Sequence, residues 1–146
     1  MKDSLLEIAR TLEKLAAEYK PPLEVLGEGI NRIRLTENFG LWEFQCSCCG
    51  QVKIHPKLVE MLQALREKVG KPVIITSGYR CPEHNKAVGG VKSSYHTRGM
   101  AADIKVSGVS VSQIAQLAET IGFNGIGIYP SFVHVDIRDE KARWTG

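Results

Sequence analysis

The sequence lacks a long apolar run, a strong excess of charge and any internal repeat. Its 146 residues include 19 Lys and Arg against 16 Asp and Glu, a formal net charge of +3. A charge this small does not predict nucleic-acid binding, although it would not hinder approach to an anionic polymer. No apolar stretch approaches the roughly 20 residues of a membrane-spanning helix. The N-terminus is amphipathic rather than a basic stub followed by an apolar run, so we predict no signal peptide.

The chain has four cysteines, and their spacing does not suit a dispersed disulfide framework. Cys46, Cys48 and Cys49 fall within four residues, and Cys81 follows much later. Three states stay open: a structural zinc site, a disulfide from the cluster to Cys81, or buried free thiols. Reduced thiols are the default in a cytosolic chain.

The length predicts one domain with an N-terminal appendage. Apolar residues at helical spacing predict a helix from Ser4 to about Tyr19, which Pro21-Pro22 ends. We therefore divide the chain into a helical appendage at residues 1–35 and a main domain at residues 36–146. In the main domain we predict two helices, one from His55-Pro56 to about Val69 and one over Val111–Ile121. We also predict four strands, at Pro72–Thr76, Met100–Val106, Gly125–Tyr129 and Phe132–Arg138. The first of these strands should be buried, and the last two should form a hairpin.

The stretch from Ser93 to Asp103 carries the strongest chemical signal. His96 lies seven residues before Asp103, with Gly99 and two alanines between them. Small residues let the backbone approach another group closely. A further histidine, His134, lies in the last predicted strand, and two histidines with one carboxylate are a usual ligand set for a catalytic zinc.

Strand alternation places a second polar group beside the last histidine. His134, Asp136 and Arg138 should point to one face of their strand, with the intervening apolar side chains on the other. Asp136 would then suit the general base that a zinc hydrolase needs for its bound water. Arg80 follows a predicted strand directly, and polar residues at such positions often face a site.

Three ordered motifs resemble a known family. They are Ser94-x-His96-x-x-Gly99-x-Ala101-x-Asp103, Thr76-Ser-Gly-Tyr-Arg-Cys-Pro82 and Phe132-Val-His-Val-Asp136. Together they resemble the zinc D-Ala-D-Ala carboxypeptidase and endopeptidase family, in the branch found in bacterial and phage genomes. The wider group includes the hedgehog signalling domains. The resemblance covers about residues 36–146 and implies an α+β domain, a central and mostly antiparallel sheet with helices packed on it.

The resemblance also implies roles for individual residues. It assigns His96, Asp103 and His134 to zinc, Arg80 to the substrate carboxylate or carbonyl, and Ser94 to a hydrogen bond with the substrate. Many family members carry an acid three residues before the last histidine, where this chain has Ser131. The base must then come from elsewhere. We take Asp136 as the base, with His84, Asp139 or Glu140 acting through a water as alternatives.

The expected function is that of a zinc-dependent peptidase acting on bacterial peptidoglycan, of the D-Ala-D-Ala carboxypeptidase or murein endopeptidase type. We expect one catalytic zinc, with a second, structural ion at the cysteines as an open alternative, and stem or cross-link peptides as partners. The chain would be made in the cytoplasm and act on the wall after release or export. Two other interpretations stay open: a zinc-stabilised module that binds wall peptide without cutting it, and a structural part of a phage particle.

Overall fold

The computed structural model of this chain describes residues 31–146. The predicted N-terminal helix from Ser4 to about Tyr19 lies outside the described residues. The proposed boundary between an appendage and a main domain at residue 35 therefore stays a prediction.

A five-stranded sheet organises residues 31–146. The strands are β1 (Ile74–Ser77), β2 (Ala101–Lys105), β3 (Gly125–Ile128), β4 (Val133–Asp136) and β5 (Ala142–Thr145). Their order across the sheet is β1-β2-β4-β3-β5, with antiparallel pairing everywhere except between β3 and β5. The predicted α+β class with a mostly antiparallel sheet is confirmed.

Three α-helices accompany the sheet in the same part of the chain: α1 (Pro56–Val69), α2 (Pro82–Ala87) and α3 (Val111–Ile121). The two longer helices have the predicted ends. The His55 ring accepts a hydrogen bond from the Lys57 N–H at the start of α1, and Gly70 ends that helix in the left-handed conformation. Ser110 caps α3. None of the helices described here is long and apolar enough to cross a membrane.

One face of the sheet packs against α1 and α3 to form the hydrophobic core. The strands contribute alternate residues such as Ala102, Ile104, Val133 and Val135, and the helices contribute Leu58, Leu62, Leu65, Ile114 and Ala118. Each large side chain buried in this way contributes about 1.5–3 kcal/mol. The remaining strand positions carry the polar side chains Asp103, His134 and Asp136, as the alternation predicts.

One edge of the sheet differs from the prediction, and the other carries a strand beyond the four predicted. We expected the first strand to be buried, but β1 is an edge strand with β2 as its neighbour, and Ile74 is 43% exposed. That prediction was wrong because an apolar, β-branched run does not reveal how many strands flank it. At the opposite edge lies β5, which contains Arg143 and Trp144 and runs parallel to β3.

Candidate active site

The register of the central strands places two of the predicted ligands side by side. Asp103 on β2 lies directly opposite His134 on β4. Side chains at such positions have their Cβ atoms about 4.5–5.5 Å apart and share one face of the sheet. The fold therefore brings together two groups that are 31 residues apart in sequence.

His96 reaches the same place from a short 3₁₀ turn, Tyr95–Arg98, that precedes β2. The Ser94 hydroxyl oxygen caps this turn by accepting a hydrogen bond from the His96 N–H, at 3.2 Å. Gly99 ends it with φ of +70°, and a Cβ at Gly99 would overlap the backbone of Lys53. This close approach explains why the motif carries a glycine at this position.

Three ligand atoms converge at this point. His96 Nε2 lies 3.2 Å from Asp103 Oδ1, and His134 Nδ1 lies 3.0 Å from the same oxygen. The two ring nitrogens are 3.2 Å apart. All three residues are buried, and they are a group able to hold a metal ion. The three predicted ligands are therefore in contact with one another.

The outer hydrogen bonds of the two histidines determine which nitrogen carries a proton. His96 Nδ1 lies 2.8 Å from the Gly78 carbonyl oxygen, so it must donate its N–H there. His134 Nε2 lies 2.7 Å from Asp136 Oδ2 and donates to that carboxylate. When both rings are neutral, as metal binding requires, each therefore turns a lone pair towards Asp103 Oδ1. Three acceptors in mutual contact call for a cation between them, and two histidines with one carboxylate fit zinc.

The ionisation of these groups follows from their contacts. Burial alone would raise the pKa of Asp103, but hydrogen bonds with His134 and His96 hold that pKa well below its usual range. Burial likewise opposes the charged form of His134, whereas hydrogen bonds with Asp103 and Asp136 raise its pKa. The site thus favours negative charge on Asp103 and positive charge beside it, and a bound cation would supply that positive charge once both rings are neutral.

Arg80 holds the second oxygen of the Asp103 carboxylate. Its Nη2 donates to Asp103 Oδ2 at 3.1 Å, its Nε donates to Ser77 Oγ at 3.0 Å, and its Nη1 donates to Asn85 Oδ1 at 3.4 Å. This arrangement fixes the carboxylate with Oδ1 towards the two histidines. Arg80 also lines the cavity in front of them.

Asp136 lies behind His134, on the side away from Asp103. Its side chain is fully buried, with Oδ2 contacting His134 Nε2 and Arg138 Nη2, and Oδ1 accepting from the Nε and backbone N–H of Arg138. Burial raises the pKa of Asp136, but the bonds from Arg138 and His134 hold it below its usual range. On the neighbouring strand Gly125 leaves room for the carboxylate, because a Cβ there would overlap it.

A cavity of about 640 Å³ opens in front of the three converging groups. Its wall includes Ser94, Tyr95, Tyr129, Phe132, Arg138 and Trp144. The Arg138 guanidinium lies 4.6 Å from the centre of the Tyr95 ring and 5.0 Å from that of Trp144. Trp144 Nε1 donates to Tyr129 Oη at 2.9 Å. Sequence reasoning missed this aromatic wall, although Tyr95 stands next to His96 within the motif.

The alternative proton acceptors lie elsewhere. His84 Nε2 is 3.2 Å from Ser47 Oγ, close to the cysteines, and Asp139 and Glu140 are exposed. None of the three is among the cavity-lining residues of the part of the chain described here. The four cysteines form a separate group, in which Cys46 and Cys81 are buried while Cys48 and Cys49 are exposed.

A buried His–Asp–His set, held by outer hydrogen bonds at the base of a cleft, is a group that could hold a metal ion. The family model for Peptidase M15 matches residues 36–136, and the chain belongs to this family. It is similar to the peptidoglycan L,D-endopeptidase MepK of Escherichia coli K12, at 38% identity over 57% of this chain and 50% of the relative.

Two further relatives have related names. The probable peptidoglycan L,D-endopeptidase MepK of Haemophilus influenzae is 30% identical over 64% of this chain and 55% of its own length. The zinc D-Ala-D-Ala carboxypeptidase of Streptomyces albus G is 38% identical over 44% of this chain and 26% of its own. The chain spans about half the length of the MepK relatives it matches.

Proposed function

We propose that this chain is a zinc-dependent peptidase that hydrolyses peptide bonds of bacterial peptidoglycan. The observation that carries the proposal is the convergence of His96 Nε2, Asp103 Oδ1 and His134 Nδ1 at the base of an open cavity. Membership of the Peptidase M15 family supports it, as do the names of the relatives.

Those three atoms would hold the zinc ion. A zinc bound by three protein ligands keeps a position for water, lowers the pKa of that water towards about 7 and polarises a carbonyl. The protein groups around the ligands keep the centre in shape: the Gly78 carbonyl and the Asp136 carboxylate fix the two imidazoles, and Arg80 fixes the carboxylate. Such outer partners orient the ligands and raise their basicity.

The cavity wall suits a short peptide with a negatively charged end. Arg80 and Arg138 bring two guanidinium groups to the cavity, and guanidinium groups bind carboxylates well. We propose that Arg80 binds the substrate carboxylate or carbonyl while it holds Asp103. Ser94 lines the same cavity, and its hydroxyl would donate a hydrogen bond to the peptide.

We propose that Asp136 acts through His134 and does not receive the proton from water itself. Its oxygens contact His134 and Arg138, and the imidazole stands between this carboxylate and the other ligands. An ionised partner at Nε2 fixes the tautomer in which Nδ1 binds metal. The alternative to test is the role that strand alternation predicted for Asp136, in which it is the general base.

The test is a digest of purified peptidoglycan by the full chain, with the released peptides identified by mass spectrometry. We expect new peptide ends with the untreated protein, none after a chelator, and recovery when zinc is added back. The products separate a carboxypeptidase, which removes one terminal residue, from an endopeptidase, which cuts inside a stem or cross-link.

A matched control is His55→Ala. This removes a histidine that is exposed at the start of α1 and lies outside the cavity. It should leave the digest unchanged. Co-sedimentation of the protein with peptidoglycan that yields no peptide product at any zinc level would favour the non-catalytic binding module.

A further inference from the structure

The fold brings the four cysteines together from two separate segments. Cys46, Cys48 and Cys49 lie in the loop after the 3₁₀ turn Leu41–Phe44, and Cys81 precedes α2. The Cys48 Sγ is 3.5 Å from the Cys46 Sγ and 3.3 Å from the Cys81 Sγ, and all four sulfurs lie within 4.8 Å of one another. Zinc–sulfur bonds of about 2.3 Å place the sulfurs of a tetrahedral site about 3.8 Å apart, close to these separations.

The loop that carries three of the cysteines has a shape suited to a metal. Cys46 and Cys49 have two residues between them, a spacing common in structural zinc sites. The loop closes through hydrogen bonds from the Cys46 N–H to the Gln51 oxygen and from the Gly50 N–H to the Cys46 oxygen, at 2.7 and 2.8 Å. Gly50 adopts φ of +72°, which glycine allows without strain.

Backbone donors point at the sulfur atoms. The Cys81 N–H donates to the Cys46 Sγ at 3.5 Å, and the His84 N–H donates to the Cys81 Sγ at 3.4 Å. Hydrogen bonds to sulfur favour the thiolate, which is the form that binds a metal. These donors also offset part of the negative charge that four thiolates would bring to one place.

The ionisation of the thiols is consistent with this geometry. Burial raises the pKa of Cys46, but hydrogen bonds from Cys81 and Cys48 outweigh it and lower that pKa to about 6. The pKa of Cys48 rises to about 12, chiefly because of its hydrogen bonds with the Cys81 and Cys46 thiols. Four thiolates at these sulfur–sulfur distances would repel one another, and a divalent cation between them would remove that repulsion.

We propose that Cys46, Cys48, Cys49 and Cys81 bind a second, structural zinc ion. Four thiolate ligands complete the coordination of zinc and leave no position for water, so this ion would have a structural role. Binding would release the thiol protons to solvent. This proposal selects one of the three states that the sequence left open for the cysteines, and it does not depend on the proposed peptidase activity.

The second ion would stabilise the chain segment that positions two residues of the active site. Cys81 directly follows Arg80, and the neighbouring Gly78 carbonyl holds the His96 ring. The same segment contacts the start of the cysteine loop, because the Tyr79 N–H donates to the Phe44 oxygen at 2.7 Å. A zinc shared by Cys81 and the loop would fix the segment that positions both Arg80 and His96.

The test is the zinc content of the purified, reduced chain after dialysis against metal-free buffer, measured by elemental analysis. We expect two ions per chain in the wild type and one after the double change His96→Ala/Asp103→Ala. We also expect one ion after Cys48→Ser/Cys49→Ser, which alters the two exposed cysteines. Ser47→Ala is the matched control in the same exposed loop and should keep both ions.

A second measurement decides the matter if the serine variant does not fold. Cobalt bound to thiolates shows a strong sulfur-to-metal charge-transfer absorption, and His–Asp–His ligands lack the sulfur needed for it. The His96→Ala/Asp103→Ala chain loaded with cobalt should show this band, and a thiol-binding mercurial should abolish it. Absence of the band, or wild-type protein with one zinc and either four reactive thiols or a disulfide, would overturn the proposal.

Discussion

The two clusters of potential metal ligands in this protein are built in different ways. The His–Asp–His set stands mainly on paired strands, and all three of its residues are buried. The cysteine set stands on a loop and on the residue before a short helix, and two of its four members are exposed. The first site is held in shape by the sheet, whereas we expect the shape of the second to depend on the proposed zinc.

The two clusters also differ in the groups that form hydrogen bonds with their ligands. The two histidines are oriented by the Gly78 carbonyl and the Asp136 carboxylate, and Arg80 binds the Asp103 carboxylate. The cysteines receive hydrogen bonds from backbone N–H groups. A site with fixed outer partners is ready for ligand exchange at an open position, whereas a set of thiolates closes around its metal.

The largest effect we expect comes from removing a ligand of the first cluster. His96→Ala should abolish zinc binding there and lower the rate of peptide release by about 10³-fold or more, because several kcal/mol of charge stabilisation are lost. Zinc content and the rate of peptide release measure the two effects. The cysteine cluster should keep its ion, since its ligands are separate.

The His55→Ala chain is again the control for this experiment. If His96→Ala lost both ions, the two clusters would form one cooperative unit, and the contrast drawn between them would be wrong. Retention of a zinc at the first cluster would refute the ligand assignment.

The sequence predicted the first cluster far better than the second. His96, Asp103 and His134 drew attention because they lie in a compact motif and on an alternating strand, where local spacing determines the face, and the family resemblance assigned them to zinc. Alternation put Asp136 on the same face as His134, but it could not show that the carboxylate contacts the far nitrogen of the ring. That detail depends on Gly125, which lies on the neighbouring strand, and on Arg138, whose guanidinium donates to the Asp136 carboxylate.

Features that depend on distant contacts were out of reach. Cys81 is 33 residues from Cys48, so only the folded chain shows that their sulfurs meet. The strand β5 ends the chain, and its pairing with β3 brings Trp144 into the cavity wall. The residues of β5 give no clear strand signal in the sequence.

A smaller effect is expected from Asp136→Asn, which keeps the size of the side chain but removes its charge. The zinc affinity of the first cluster should fall about 10- to 100-fold, as for other partners of metal-bound histidines. Competition with a chelator measures this affinity, and excess zinc should restore most of the activity. The exposed Asp139 offers the matched change Asp139→Asn, which should alter neither quantity.

The opposite result would also be informative. If Asp136→Asn binds zinc as tightly as the wild type and excess zinc does not restore peptide release, the carboxylate is the proton acceptor that strand alternation suggested. The first cluster would then contain its own base, and the comparison with the purely structural cysteine cluster would become sharper.

The smallest effect concerns Gly50, in the cysteine loop. Gly50→Ala places a side chain at φ of +72°, where no other group lies within 4 Å of the added Cβ, so conformational strain is the sole cost. We expect a loss of about 1 kcal/mol in the free energy of unfolding, measured in denaturant. If the loop relaxes, zinc at the cysteines should bind up to about fivefold more weakly, since 1.4 kcal/mol corresponds to a factor of ten.

Gly70→Ala is the matched control, because Gly70 has φ of +68° and equally open surroundings but ends α1. Both variants should lose similar stability, whereas zinc retention at the cysteines should fall in Gly50→Ala alone. Equal retention in the two variants would mean that the loop keeps its shape at the cost of strain. The cysteine cluster would then be as preformed as the His–Asp–His set, and the main contrast between the two regions would disappear.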